Sequence, residues 1–302
     1  MKEKVLIILF CTVSIVYFKA QQISMNFPQF SGKNYDFVIF NGSQQKTVFQ
    51  GIIPSDGKFE LSIPKQYTPY VGMSRWLITG TKEGGGLDMF IPGHDFSVSC
   101  LHAKPDERNI IYTNNTGNTE LSSLYKKQEG ILSRYHSMFM ATKSYDGSDA
   151  YYNLFKSELE KQKKDYTLLQ EDLRRKTDYI SRFFLIVNIS RGMGNILTGQ
   201  EDERARDISQ YISQKIDWKS LYTSGYWSAI IESWVDIHLK VIKDSKVFVE
   251  ELNMIVKRME AGDLYTDFVE RLFYYLKQDG GEDYLSLMST MPISSDDFID
   301  CQ

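Results

Sequence analysis

The sequence predicts an α+β chain: an N-terminal antiparallel β-sandwich-like domain followed by an all-α helical domain. Three observations carry this. Residues 29–113 have the two-residue period of strands, cut at short intervals by turn signals. From about Gly117 the apolar spacing changes to the three-and-four rhythm of helices. Between them, Asn114-Asn-Thr-Gly-Asn118 is a polar break with no apolar period of its own. The expected division is a signal peptide over 1–20, the β domain over 25–115, the helical domain over 117–290 and a tail over 291–302.

In chain order, Lys2 and Lys4 precede an apolar run over 5–18, and Ala20 supplies a small residue before Gln21 and Gln22. That is the layout of a secretory signal, with cleavage expected after Ala20. The run is shorter than the roughly 20 residues that span a bilayer. Lipoprotein processing at Cys11 is the rival reading, disfavoured by bulky Phe10 just before it. Strands are expected over 34–40, 47–54, 58–63, 74–79, 87–91 and 96–101. Asn41-Gly42-Ser43 and Ser55-Asp56-Gly57 are turns, because Asn, Asp and Gly accept positive φ. Phe59, Leu61 and Ile63 alternate on one face and stop at Pro64.

In the second half, Asn118 or Thr119 is placed to cap a helix carrying Leu121, Leu124, Tyr125, Leu132, Tyr135 and Phe139. Asp146-Gly-Ser-Asp149 breaks it. The next helix has a seam of Tyr152, Phe155, Leu159, Gln162, Tyr166, Leu169 and Leu173, the spacing of an antiparallel hairpin. Its charged outer face reads as solvated. Further helices are expected over 177–190, 202–215, 227–243, 246–260, 264–278 and 281–289.

Composition narrows the class. The formal charge of −4 becomes −6 once 1–20, with three Lys and one Glu, is removed. Such an acidic chain suits neither nucleic acid nor an anionic membrane. With 19 Tyr and 18 Phe it has ample apolar area for cores without staples. Its cysteines are Cys11, Cys100 and Cys301, too few for a disulfide scaffold, and no Cys-x-x-Cys occurs.

Phe30-Ser-Gly-Lys-Asn-Tyr-Asp-Phe-Val-Ile-Phe40, Asp56-Gly-Lys-Phe59, Gly84-Gly-Gly-Leu-Asp-Met-Phe-Ile-Pro-Gly-His-Asp95 and Tyr222-Thr-Ser-Gly-Tyr-Trp-Ser228 give the chain a family likeness. It resembles the exported thioredoxin-like proteins of Gram-negative envelopes, of the alkyl hydroperoxide reductase or thiol–disulfide oxidoreductase type. The resemblance runs over most of residues 25–290. It implies a β domain and a helical segment that precede a C-terminal thioredoxin fold in the family. Residues 291–302 resemble the start of the segment that leads into that fold. The family's redox cysteines have no counterpart here, so none are carried over.

Candidate sites follow from residue type. Cys100 sits in an expected strand and reads as a buried small hydrophobe; Cys301, beside Asp300, reads as a reactive terminal thiol. These are the candidate redox thiols. Gly84-Gly-Gly86 lacks the Gly-Lys-Ser/Thr of a phosphate loop and reads as a turn. His94 and His102 would lie roughly 26 Å apart on one extended strand at about 3.3 Å per residue, too far to share a metal. His136 is a lone helical histidine. Tyr222, Tyr226, Trp227, Trp234 and His238 form an aromatic set at seven-residue spacing, either core packing or a patch that docks a partner.

No cofactor is expected. The expected function is a non-catalytic, exported module of the periplasm or cell envelope, the partner-binding half of a thioredoxin-like redox system. Two alternatives stand beside it: part of a thiol–disulfide oxidoreductase whose redox domain is on another chain or missing, and a small-ligand sensor or scaffold.

Overall fold

The computed structural model describes residues 20–82, 84–259 and 262–288. The strands are β1 (Gln21–Asn26), β2 (Asn34–Asn41), β3 (Gln44–Ile52), β4 (Lys58–Ile63), β5 (Val71–Thr79), β6 (Gly86–Pro92), β7 (Phe96–Ser99) and β8 (Ile111–Thr113). They form two four-stranded sheets, ordered β4-β1-β7-β8 and β3-β2-β5-β6. The expected alternation is present: Ile23, Phe37, Ile39, Leu61, Ile63, Trp76, Met89, Ile91 and Val98 all point into one dry core.

Two strands were not expected. β1 begins at Gln21, and its Gln-Gln-Ile-Ser-Met-Asn run is too polar to announce a strand. It runs parallel to β7, with Ile23 opposite Phe96, and antiparallel to β4. Gln21 is nonetheless buried: its Oε1 accepts from Tyr70 N at 3.1 Å and its Nε2 donates to His94 O at 3.3 Å. The three-residue β8 is too short to show a period.

The helices are α1 (Gly117–Ser144), α2 (Tyr152–Arg175), α3 (Tyr179–Ser190), α4 (Glu201–Gln214), α5 (Trp218–Tyr222), α6 (Trp227–Asp236), α7 (Ser245–Arg258), α8 (Asp263–Gln278) and α9 (Glu282–Met288). Leu159, Gln162, Tyr166, Leu169 and Leu173 of the expected α2 seam are buried. Asp178, Asp217 and Asp244 cap α3, α5 and α7 by accepting from backbone N–H groups of the first turn. The cap expected at Asn118 or Thr119 differs. Helix α1 starts at Gly117, with Thr116 at the cap position, and Asn118 Oδ1 instead accepts from Phe90 N at 3.0 Å on the edge of β6. Gly117 allows this close approach, since a Cβ there would sit 2.3 Å from the Phe90 ring. The helix expected over 227–243 is α6 followed by a wider π-helical stretch, Ile237–Ile242, closed by Lys243 in the left-handed region at φ 53°.

The two halves are welded by backbone. Thr223 O, in the loop after α5, accepts from Met73 N at 2.9 Å and from Tyr179 Oη at 3.0 Å. Tyr222 O accepts from Gly42 N at 2.7 Å. Tyr70 Oη accepts from Phe40 N at 3.1 Å and donates to Met73 O at 2.8 Å, and burial pushes this hydroxyl well above the usual tyrosine range. Beside these bonds, Phe40, Met73 and Phe90 of the sandwich pack on Ile180, Phe183 and Val187 of α3.

Candidate functional site

The aromatic set singled out by spacing is brought together, but inward. Trp227, Trp234 and His238 are fully buried in the helical core. Trp227 meets Trp218 edge-on at 5.8 Å between ring centres, and its Nε1 donates to Asp267 Oδ1 at 3.1 Å. Tyr222 and Tyr226 are half-buried at the seam with the sandwich, Tyr222 edge-on to Trp227 and Tyr226 against Phe183. Burial and the charges of Asp267 and Asp263 push the Tyr222 hydroxyl up to about 12. The seven-residue spacing is therefore that of packing, and these residues present little surface for docking.

Around His238 the fold assembles a polar cluster that sequence reading missed. Glu251 Oε2 accepts from Ser209 Oγ, from Trp234 Nε1 at 3.0 Å and from His238 Nε2 at 3.1 Å. Burial raises the Glu251 pKa, but the bonds from His238, Ser209 and Trp234 outweigh it and hold the carboxyl below its ordinary value. A serine, a histidine and a glutamate together suggest a nucleophile relay, yet the geometry is not one. A relay uses both imidazole nitrogens, one toward the nucleophile and one toward the acid. Here Nε2 faces both partners, Nδ1 is unpartnered, and Ser209 and His238 are sealed from solvent. The cluster locks α4, α6 and α7 together.

Cys100 lies just beyond β7 and is 1 % exposed. Its Sγ donates to Asn109 Oδ1 at 3.3 Å. Cys301 lies outside the described residues. Gly84 and Gly85 have positive φ, as a turn requires. His94 and Asp95 belong to the turn between β6 and β7, where Asp95 Oδ1 accepts from Gln22 N and Asp95 O from Asn114 Nδ2. Among the described residues no three His, Cys, Asp or Glu side chains converge as metal ligands.

Among the clefts formed by the described residues, one of about 530 Å³ lies where the side of the sandwich meets α1. One wall is the edge of β6 at Gly86, Leu87 and Asp88; the loop before β8 and the first turns of α1 make the others. Lys126 of α1 pairs with Glu107 of that loop at 3.1 Å. Comparison with known protein families, with curated proteins and with solved structures finds no match for this chain.

Proposed function

We propose that the chain is a non-catalytic, exported envelope module that serves a thioredoxin-like redox system by binding a partner. The observation that supports it is the state of the thiol among the described residues: Cys100 is sealed in the sandwich, donating to Asn109, and an inaccessible thiol cannot attack a substrate disulfide. The candidate serine and histidine are sealed too, which favours binding over turnover. The signal-like leader supports export, and the described helices include none long and apolar enough to cross a membrane. Insulin reduction by dithiothreitol tests the reading. The chain alone is expected to leave the rate at the reagent blank, as is its Cys301→Ser variant. Turnover above the blank that Cys301→Ser abolishes would make this an oxidoreductase instead. Calorimetric titration with an exported thioredoxin-fold domain tests the partner: binding at micromolar levels is expected, and no heat at about 100 µM would remove that part of the reading.

A further inference from the structure

We propose that the cleft between β6 and α1 takes an extended, apolar peptide segment, which adds to the sandwich as a strand beside β6. In an antiparallel sheet the backbone groups of successive residues point alternately to either neighbour. Phe90 fixes the phase on β6: its N–H is taken by Asn118 Oδ1 at 3.0 Å and its carbonyl accepts from Asn115 Nδ2 at 2.8 Å, both on the side away from β5. Two residues earlier, Asp88 must also turn its N–H and C=O away from β5, and there the cleft begins. The bidentate ion pair between Asp88 and Arg75 of β5, at 2.6 and 2.9 Å, agrees with this phase, because it joins the closely spaced side chains of a non-hydrogen-bonded pair.

An edge of this kind is normally guarded by charge, proline or cover. Here two asparagines stand in for a neighbouring strand at Phe90 and the cover then stops. The charge that would guard the next rung, Asp88, is turned back onto Arg75. Asn118 adds a second mark: its Nδ2 is buried and unpartnered, an unspent donor in the wall of the cleft. The volume is that of a ligand cleft. A strand laid along β6 would alternate its side chains between Ile110 and Tyr112 on the sandwich side and Leu121 and Tyr125 on α1. These four side chains are half-buried, so the ligand side chains that meet them are apolar, while Asp88, Asp106, Glu107 and Lys126 make the rest of the lining polar. Main-chain bonds would supply affinity and the two walls the selectivity, the pattern of strand addition. This inference stands without the redox reading.

The test is a selection from an unbiased library of displayed 12-residue peptides on the whole purified chain, with anisotropy of the best binder as readout. Asp88→Pro removes the outward N–H, which an edge strand tolerates, together with the carboxylate on Arg75, and is expected to weaken binding at least about tenfold. Asp88→Ala keeps the N–H and should bind within about twofold of the parent. Thr119→Trp, at an exposed position lining the cleft, should abolish binding. An N-methyl scan of the peptide probes the same bonds on unaltered protein should Asp88→Pro not fold, and one position is expected to lose at least about tenfold. No selected binder, binders indifferent to Thr119→Trp and Asp88→Pro, or a flat N-methyl scan would each overturn the proposal.

Discussion

Glu251 gathers polar chemistry in the helical core, with one carboxylate oxygen holding three donors. Its folded pKa lies below the ordinary value of 4.5. A depressed carboxyl binds fewer protons folded than unfolded, so its stabilisation is complete above the unfolded pKa and is lost as pH falls through the folded one. Glu251→Gln removes that charge while keeping the shape. At pH 7 it should destabilise by about 2–4 kcal/mol, the range for hydrogen bonds to a charged group whose partners are left buried. Urea unfolding of both proteins at a series of pH values checks the sign: the gap should be constant above about pH 5 and narrow below the ordinary glutamate value. A gap that widens in acid would mean the carboxyl is protonated in the folded protein at neutral pH. His238 was visible in the sequence as a member of the aromatic set. Ser209 and Glu251 were not, because they reach it from helices 29 and 13 residues away, and no local spacing records that.

At the scale of elements, α1, α2 and α3 are registered by a closed ring of amides. Gln128 Nε2 donates to Asn188 Oδ1 at 2.8 Å, Asn188 Nδ2 to Gln128 Oε1 at 2.9 Å, and Gln170 Nε2 to Gln128 Oε1 at 3.1 Å. All three side chains are buried. Asn188→Leu leaves Gln128 Nε2 and Gln170 Oε1 without their partners and should cost about 2–4 kcal/mol in urea unfolding. Replacing Gln128, Gln170 and Asn188 together by Leu should cost less than the single change, since no orphan remains. A triple variant less stable than Asn188→Leu would show that the ring contributes net stability beyond satisfying itself. Most helices were legible because each keeps an apolar stripe over several turns, as Leu159, Tyr166, Leu169 and Leu173 do. The five-residue α5 has no room for a stripe, and the π-helical stretch keeps the same apolar residues as the α-helix expected there. β1 failed to show because its inward positions open on Gln21, a polar residue buried only through bonds to Tyr70 and His94. The aromatic set illustrates the general limit: Trp227 and Trp234 were legible as one helix face, but whether that face turns to a partner or to the core is decided by α4, α7 and α8. The cleft was illegible for the same reason, as its walls come from three separate stretches of chain.

For the whole molecule the question is whether sandwich and helices are two folding units or one. The seam joins main chain to main chain at Met73–Thr223 and Gly42–Tyr222, over an apolar patch centred on Phe40 and Phe183. Asp267 of α8 is its clasp: Oδ2 accepts from Ser43 N at 2.8 Å and Ser43 Oγ at 3.1 Å, while Oδ1 holds Trp227 in the helical core. Gly42 is required beside it, for a Cβ there would sit 2.0 Å from that carboxylate and its φ is positive. A single carboxylate thus ties the first hairpin turn of the sandwich to a tryptophan of the other core. Loosely docked domains unfold separately, whereas a large apolar seam makes them cooperative. We expect one transition: in hydrogen exchange read by mass spectrometry across a urea series, peptides from β2 and β5 should share the midpoint of peptides from α3 and α6. Asp267→Ala orphans Trp227 Nε1 and Ser43 N–H and should lower stability by about 2–4 kcal/mol. If the clasp is the coupling, its loss should also part the two sets of midpoints, sandwich from helices. A shift of both together would assign the coupling to the apolar patch on α3, and separate midpoints already in the parent chain would refute a single folding unit.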